Sequence, residues 1–241
     1  MGFLKTFFYF LSAAIFIFNI YYNRTCDGEL HRDGLRKAIP IPYWSIYLTQ
    51  IDVHLCAIYY SINFIKCLCS SSSSASCSTQ KCNLQKYLTL FFKAIIAPGS
   101  IIVAVYFWAI YLYSPEMMVN PKYANYFPNW FLHTCHTTQI FCITFELLLQ
   151  EQHSVYKSNS FSVLIFNLIF AIWYCAWSYY AYTLIGKFAY PFLDAAWHSE
   201  PYHYAYWLIF VGTTFLFNWL SRGTERVSFR IHGRNGEKKY A

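Results

Sequence analysis

Six runs of about 20 mostly apolar residues set the terms on which this chain can fold. They lie at 3–22, 46–68, 88–113, 129–149, 161–185 and 204–220 and occupy more than half of the 241 residues. A helix rises about 1.5 Å per residue, so each run can cross the roughly 30 Å hydrocarbon layer of a bilayer. No loop between them exceeds 23 residues, which leaves no room for a separate soluble domain. Charged residues make up 12% of the chain, about half the share of a soluble domain. A disordered chain is excluded, because its mark is low hydrophobicity with high charge. Nine Cys diluted over a long apolar chain do not suggest a secreted disulfide scaffold. The expectation is an all-α polytopic membrane protein, a bundle of about six transmembrane helices. It has a single membrane domain over 1–225 and a basic cytosolic tail over 226–241.

Loop charges set the expected orientation. The N-terminus, second loop, fourth loop and tail hold ten basic residues: Lys5, Lys81, Lys86, Lys157, Arg222, Arg226, Arg230, Arg234, Lys238 and Lys239. The other three loops hold six: Arg24, Arg32, Arg36, Lys37, Lys122 and Lys187. Both termini are therefore expected in the cytosol, where the basic tail meets anionic lipid rather than nucleic acid. Lys66 and Lys93 fall within spans and are expected to snorkel. The first run follows Lys5 as a signal peptide would. Its end, Phe18-Asn19-Ile20-Tyr21-Tyr22, has no small-x-small cleavage site, so a retained span is expected. Lys238-Lys239-Tyr240-Ala241 resembles the dilysine retrieval signal of endoplasmic reticulum membrane proteins, which is read on a cytosolic tail. Asn23-Arg24-Thr25 is a glycosylation sequon that abuts the first span, too close to the membrane for modification.

The second loop carries a serine tract between Cys67, Cys69, Cys77 and Cys82. It reads as a flexible linker. Those cysteines lack the paired C-x-x-C form of zinc sites. Palmitoylation or plain reduced thiols fit better beside a membrane.

Polar groups inside the spans need a reason, since an ionisable residue at a helix centre costs roughly 2.5–3.5 kcal/mol. Thr49 and Asp52 share a face of the second span at i and i+3. His133 and His136 do the same in the fourth, with Glu146 further along. If the second helix begins after Pro42 and the fourth after Pro128, Thr49 lies roughly 9 Å deep and His136 roughly 10 Å deep, from the same side. A hydroxyl nucleophile and its base require such a match in depth. Other readings stand beside this one. A membrane Thr commonly bonds its own i−4 carbonyl or a neighbouring helix. A His pair can pack, relay protons, or ligate metal or haem, with His54 the other deep histidine. A lipid carrier or haem-bearing electron carrier is the alternative to a hydrolase.

Several segments, taken in order, carry a resemblance. They are Tyr47-Leu48-Thr49-Gln50-Ile51-Asp52, Val103-Ala104-Val105-Tyr106-Phe107-Trp108, and Pro128-Asn129-Trp130-Phe131-Leu132-His133-Thr134-Cys135-His136-Thr137-Thr138. Tyr190-Pro191-Phe192-Leu193-Asp194 follows, then Gly212-Thr213-Thr214 with Asn218. From about residue 44 to 225 the chain resembles the androgen-induced family of multipass membrane threonine hydrolases. That family includes the androgen-dependent regulator of tissue factor pathway inhibitor. Leu132 stands where members of the family carry Asn. The serine- and cysteine-rich loop and the long basic tail are peculiar to this chain. The resemblance implies a lipid carboxylic ester hydrolase that cleaves fatty acid esters of hydroxy fatty acids. It implies Thr49 as nucleophile and His136 as general base, with no metal or organic cofactor. On that footing Asp52 or Glu146 is the candidate to orient the imidazole, and His133, Asn218 or a backbone amide the candidate oxyanion donor.

Overall fold

A computed structural model describes residues 2–35, 39–72, 78–119, 121–149 and 160–198. Beyond these it describes 208, 209, 212, 213, 215, 216, 219, 220, 222, 223 and 226, all helical. Asn218, the serine tract from 73 with Cys77, Arg36, Lys37, Lys157 and the tail lysines Lys238 and Lys239 lie outside the described residues, as does the side chain of Cys82. No strand occurs among the described residues. The long helices are α1 (Gly2–Arg32), α2 (Leu48–Ser72), α3 (Ser78–Phe91), α4 (Ala97–Tyr113), α5 (Asn129–Leu149) and α6 (Ser160–Ile185), followed by the short α7 (Pro191–His198). The protein is an all-α, multi-pass membrane protein.

Four stretches are long and apolar enough to cross a membrane by length and composition: Gly2–Arg32, Leu48–Cys69, Leu84–Tyr113 and Phe161–Ile185. They coincide with four of the six expected runs. The run at 129–149 is also one helix, but His133, Thr134, His136, Thr137, Thr138, Gln139 and Glu146 lower its apolar character. The run at 204–220 is described only in part.

Local chemistry explains where the helices start, bend and stop. Pro98 has no N–H to give to Ala94, and its ring crowds that carbonyl. The helix accommodates it as a π-turn, Phe92–Ile96, between α3 and α4, which together form one span. Lys93 sits on this turn and is buried rather than at a helix end. Lys66 reaches Gln85 on α3. Helix α1 runs ten residues, nearly three turns, past its expected end at residue 22, so the sequon residue Asn23 is helical and buried. It stops at Gly34, whose φ of +68° is open to glycine, with Leu35 N–H donating to the Leu30 carbonyl at 2.9 Å.

Large apolar side chains lie outside as well as inside. Phe3, Phe7, Ile17, Tyr21, Leu112, Phe141, Phe145, Ile169 and Ile172 are exposed and form the surface that lipid covers. Inside, α1, α2, the π-turn and α5 pack Tyr9, Phe16, Val53, Tyr60, Phe92 and Ile143 together. Polar groups are buried among them. Glu146 accepts from Tyr59 Oη at 2.7 Å and Tyr9 Oη at 3.2 Å, which ties α5 to α2 and α1. The Tyr60 hydroxyl is buried with no hydrogen bond among the described residues. Tyr59→Phe should therefore destabilise the bundle by about 1–3 kcal/mol. Tyr60→Phe should be neutral or stabilising. Unfolding of both variants in the same detergent checks the contrast.

Candidate active site

The start of α2 presents a hydroxyl that has no helix carbonyl to bond. After a bend at Pro40 and Ile41, Pro42 holds the approach extended, and Tyr43–Ile46 forms a single 3-10 turn before α2 begins at Leu48. Thr49 is the second residue of the helix, so residue i−4, Ser45, lies outside it. Elsewhere Thr25, Thr144 and Thr213 bond their own i−4 carbonyls. Thr49 instead directs Oγ1 at His136 Nε2, 3.4 Å away, with both residues buried.

His136 is fixed from two directions. Its Nδ1–H donates to the Leu132 carbonyl one turn back at 2.8 Å. That leaves Nε2 as the lone-pair nitrogen, facing the hydroxyl. Its ring lies on Phe107 of α4, with centroids 3.5 Å apart and planes 10° from parallel. A base adjacent to a hydroxyl and oriented by a third group is the arrangement of an activated nucleophile. Here the third group is a backbone carbonyl.

Neither expected acid fills that place. Asp52 shares the Thr49 face of α2 but turns to α4, where Oδ2 accepts from Ser100 Oγ at 2.8 Å, with Cys56 Sγ at 4.0 Å. Glu146 stands ten residues along α5 from His136, roughly 15 Å by helix rise, and is engaged with Tyr59 and Tyr9. His133 is exposed, contacts Thr137 Oγ1 at 3.0 Å and stacks beside Trp108. It does not line the cavity described below. His54 stacks on Trp44 at 4.0 Å and bonds the Gln50 carbonyl at 2.6 Å, away from the His133–His136 pair. Among the described residues, no three His, Cys, Asp or Glu side chains converge as metal ligands.

Tyr190 is the partner that the residue pattern did not single out. Its Oη lies 3.5 Å from the Thr49 amide, a first-turn N–H with no intrahelical acceptor. The Thr49 side chain, the Leu48 amide and Tyr174 also neighbour it. Burial raises the Tyr190 phenol above its ordinary value, so it is a proton donor at neutral pH. The segment 186–190 delivers it. Gly186, at φ +79°, closes α6 with its N–H on the Tyr182 carbonyl at 2.8 Å. Phe188 then plugs a small apolar cluster with Leu193, Tyr182 and Trp197. The Phe188 amide donates to Asp194 Oδ1 at 3.1 Å. The one sequence signal was that Tyr190 and Phe107 both lie in the segments quoted above.

Thr49, His136, Phe107 and Tyr190 line one cavity of about 610 Å³, within the usual size of a small-molecule site. Its walls are mainly apolar, among them Ile46, Phe127, Phe131, Leu184 and Ile185. A second, apolar recess of about 80 Å³ shares Thr49, Phe107 and Tyr190 and continues past Ile102 and Val103. The hydroxyl thus stands where two apolar spaces meet.

The FAR-17a/AIG1-like protein family matches residues 4–222 of the chain. The human androgen-induced gene 1 protein is 31% identical over 194 residues, covering 76% of this chain and 78% of that protein. No solved structure matches this chain. The site makes one prediction independent of any substrate. Nitrogen-15 spectra of histidine-labelled protein should show His136 as the Nδ1–H tautomer, the less common form of free imidazole. A proton on Nε2 in the resting protein would contradict the geometry.

Proposed function

The chain belongs to the FAR-17a/AIG1-like family, and on that premise we propose that it is an intramembrane hydrolase of fatty acid esters of hydroxy fatty acids. The observation that carries the reading is the buried contact between Thr49 Oγ1 and the lone-pair nitrogen of His136. The first-turn position of Thr49 leaves its hydroxyl free of the i−4 carbonyl that a threonine further along a helix bonds.

In this mechanism Thr49 Oγ1 attacks the ester carbonyl carbon while His136 Nε2 takes its proton. The carbonyl oxygen becomes an oxyanion, which receives the Tyr190 hydroxyl and the Thr49 amide. The 3.5 Å between these two groups is a weak contact that an incoming oxygen replaces without loss. Collapse breaks the bond to the alkoxide of the hydroxy fatty acid, which leaves with the proton from His136. Water, deprotonated by the same nitrogen, then attacks the acyl-threonine. The fatty acid departs and the Thr49 hydroxyl is restored. Apolar walls on both sides of Thr49 suit the two hydrocarbon arms that flank such an ester. The Leu132 carbonyl does for His136 what a carboxylate does in other triads: it fixes the tautomer and supports the imidazolium.

Membranes expressing matched amounts of wild type, Thr49→Ala and His136→Ala, assayed on such an ester, test the reading. Wild-type membranes should hydrolyse it and both variants should fall to the level of empty membranes. Thr49→Ser should keep measurable turnover, because the hydroxyl remains. Binding of the lipid without turnover in the wild type would make the protein a carrier and overturn the proposal. Tyr190→Phe should lower kcat by about 10- to 1,000-fold with little change in KM, as loss of one oxyanion donor does.

A further inference from the structure

The reaction needs apolar walls and a nucleophile, yet the cavity also carries a cation that no step uses. Lys187 lines the same cavity as Thr49 and is itself exposed, so it stands at the mouth. It is placed there by construction. Gly186 turns the chain out of α6, and Phe188 anchors the next residue in the cluster with Leu193 and Trp197. Lys187 is held between a turn and a plug, while Tyr190 three residues on reaches the nucleophile.

The charge is uncommitted. Lys187 makes no ion pair among the described residues. The acid nearest in sequence that lines the cavity, Asp194, accepts the Phe188 amide at 3.1 Å and lies 3.7 Å from His198 Nε2. Two further polar groups line the same cavity. Asn23 and Gln50 are more than nine-tenths buried, and each leave a side-chain oxygen without a partner among the described residues. Both oxygens are acceptors, so they call for water or a hydrogen-bond donor, and a carboxylate finds its anchor in Lys187 alone.

We propose that Lys187 is the head-group determinant of the site: it binds the free carboxylate of an anionic acyl ester and so selects acids over neutral esters. The inference rests on the hydrolase reading and adds to it a specificity residue. The ammonium gives a charge-assisted hydrogen bond to the carboxylate. The apolar body of the lipid then runs inward along the walls to Thr49. A neutral ester of the same length finds the same walls without the anchor.

The test uses full-length protein in membranes and two substrates, a fatty acid ester of a hydroxy fatty acid and the methyl ester of that same lipid. For Lys187→Gln, KM on the free acid should rise about tenfold with kcat within about twofold, a loss on the scale of one charge-assisted bond. KM on the methyl ester, already higher in the wild type, should not rise further. Lys187→Arg should restore the preference and Lys187→Glu should invert it. An equal effect on both substrates, or none on either, overturns the inference while leaving the hydrolase reading intact. If the wild type hydrolyses neither ester, the hydrolase reading fails. The head-group role is then decided by titrating the two lipids into Thr49→Ala protein with and without Lys187→Gln. Selective loss of free-acid binding supports it, and equal binding of both lipids overturns it.

Discussion

Inside a hydrocarbon layer a backbone N–H or C=O has no partner but the protein, so unpaired main chain is tolerated only where protein buries it or it borders a cavity. The arrangement of this molecule follows from that constraint. Its spans are helices, and the departure from helix before α2 is paired with care. Trp177 Nε1–H donates to the Ser45 carbonyl at 2.8 Å, and Tyr174 Oη donates to the Ile46 carbonyl at 3.3 Å. Gln50 and Ile51 give their amides to the Tyr47 carbonyl, and the groups left over are the amides of Leu48 and Thr49. They open beside Thr49, under Tyr190. The site is therefore where the bundle has main-chain donors to spare.

The same constraint shapes the polar interior. Thr49, Asp52, Cys56 and Tyr59 follow one face of α2, and His136, Gln139 and Glu146 follow one face of α5. Only the outermost layer of this seam joins a hydroxyl to a base. The deeper layers are structural in their contacts: Asp52 holds Ser100 of α4, and Glu146 gathers Tyr59 and Tyr9. A buried carboxylate is tolerable when hydroxyls satisfy it. These two bind helices together at depths where apolar packing gains little over lipid.

How much was legible in the sequence depended on the range of the interaction. Apolar runs revealed the spans because length and composition are local properties. Pro128 placed the start of α5, but α2 begins at Leu48, five residues beyond the start expected after Pro42, because a 3-10 turn and an extended Tyr47 intervene; Thr49 and His136 still meet. The partner of the histidine was harder. Asp52 and Glu146 drew attention because an acid completes a familiar triad, yet helical spacing does not say which neighbouring helix a side chain faces. The Leu132 carbonyl carries no sequence signal, because every residue has one. Tyr190 and Lys187 reach the cavity only through the turn at Gly186, a long-range consequence that periodicity does not contain. Lys93 was expected at a helix end and is buried because Pro98 rearranges the turn that holds it.

The central claim is that Thr49 carries the acyl group between two half-reactions. Rapid quenching of the protein with an ester substrate, followed by mass mapping of the peptide that begins α2, examines it directly. The account predicts an acyl mass on Thr49 that appears within the first turnover, decays as the free fatty acid forms, and is absent from Thr49→Ala. An acyl group on another residue, or full turnover by Thr49→Ala, would contradict it.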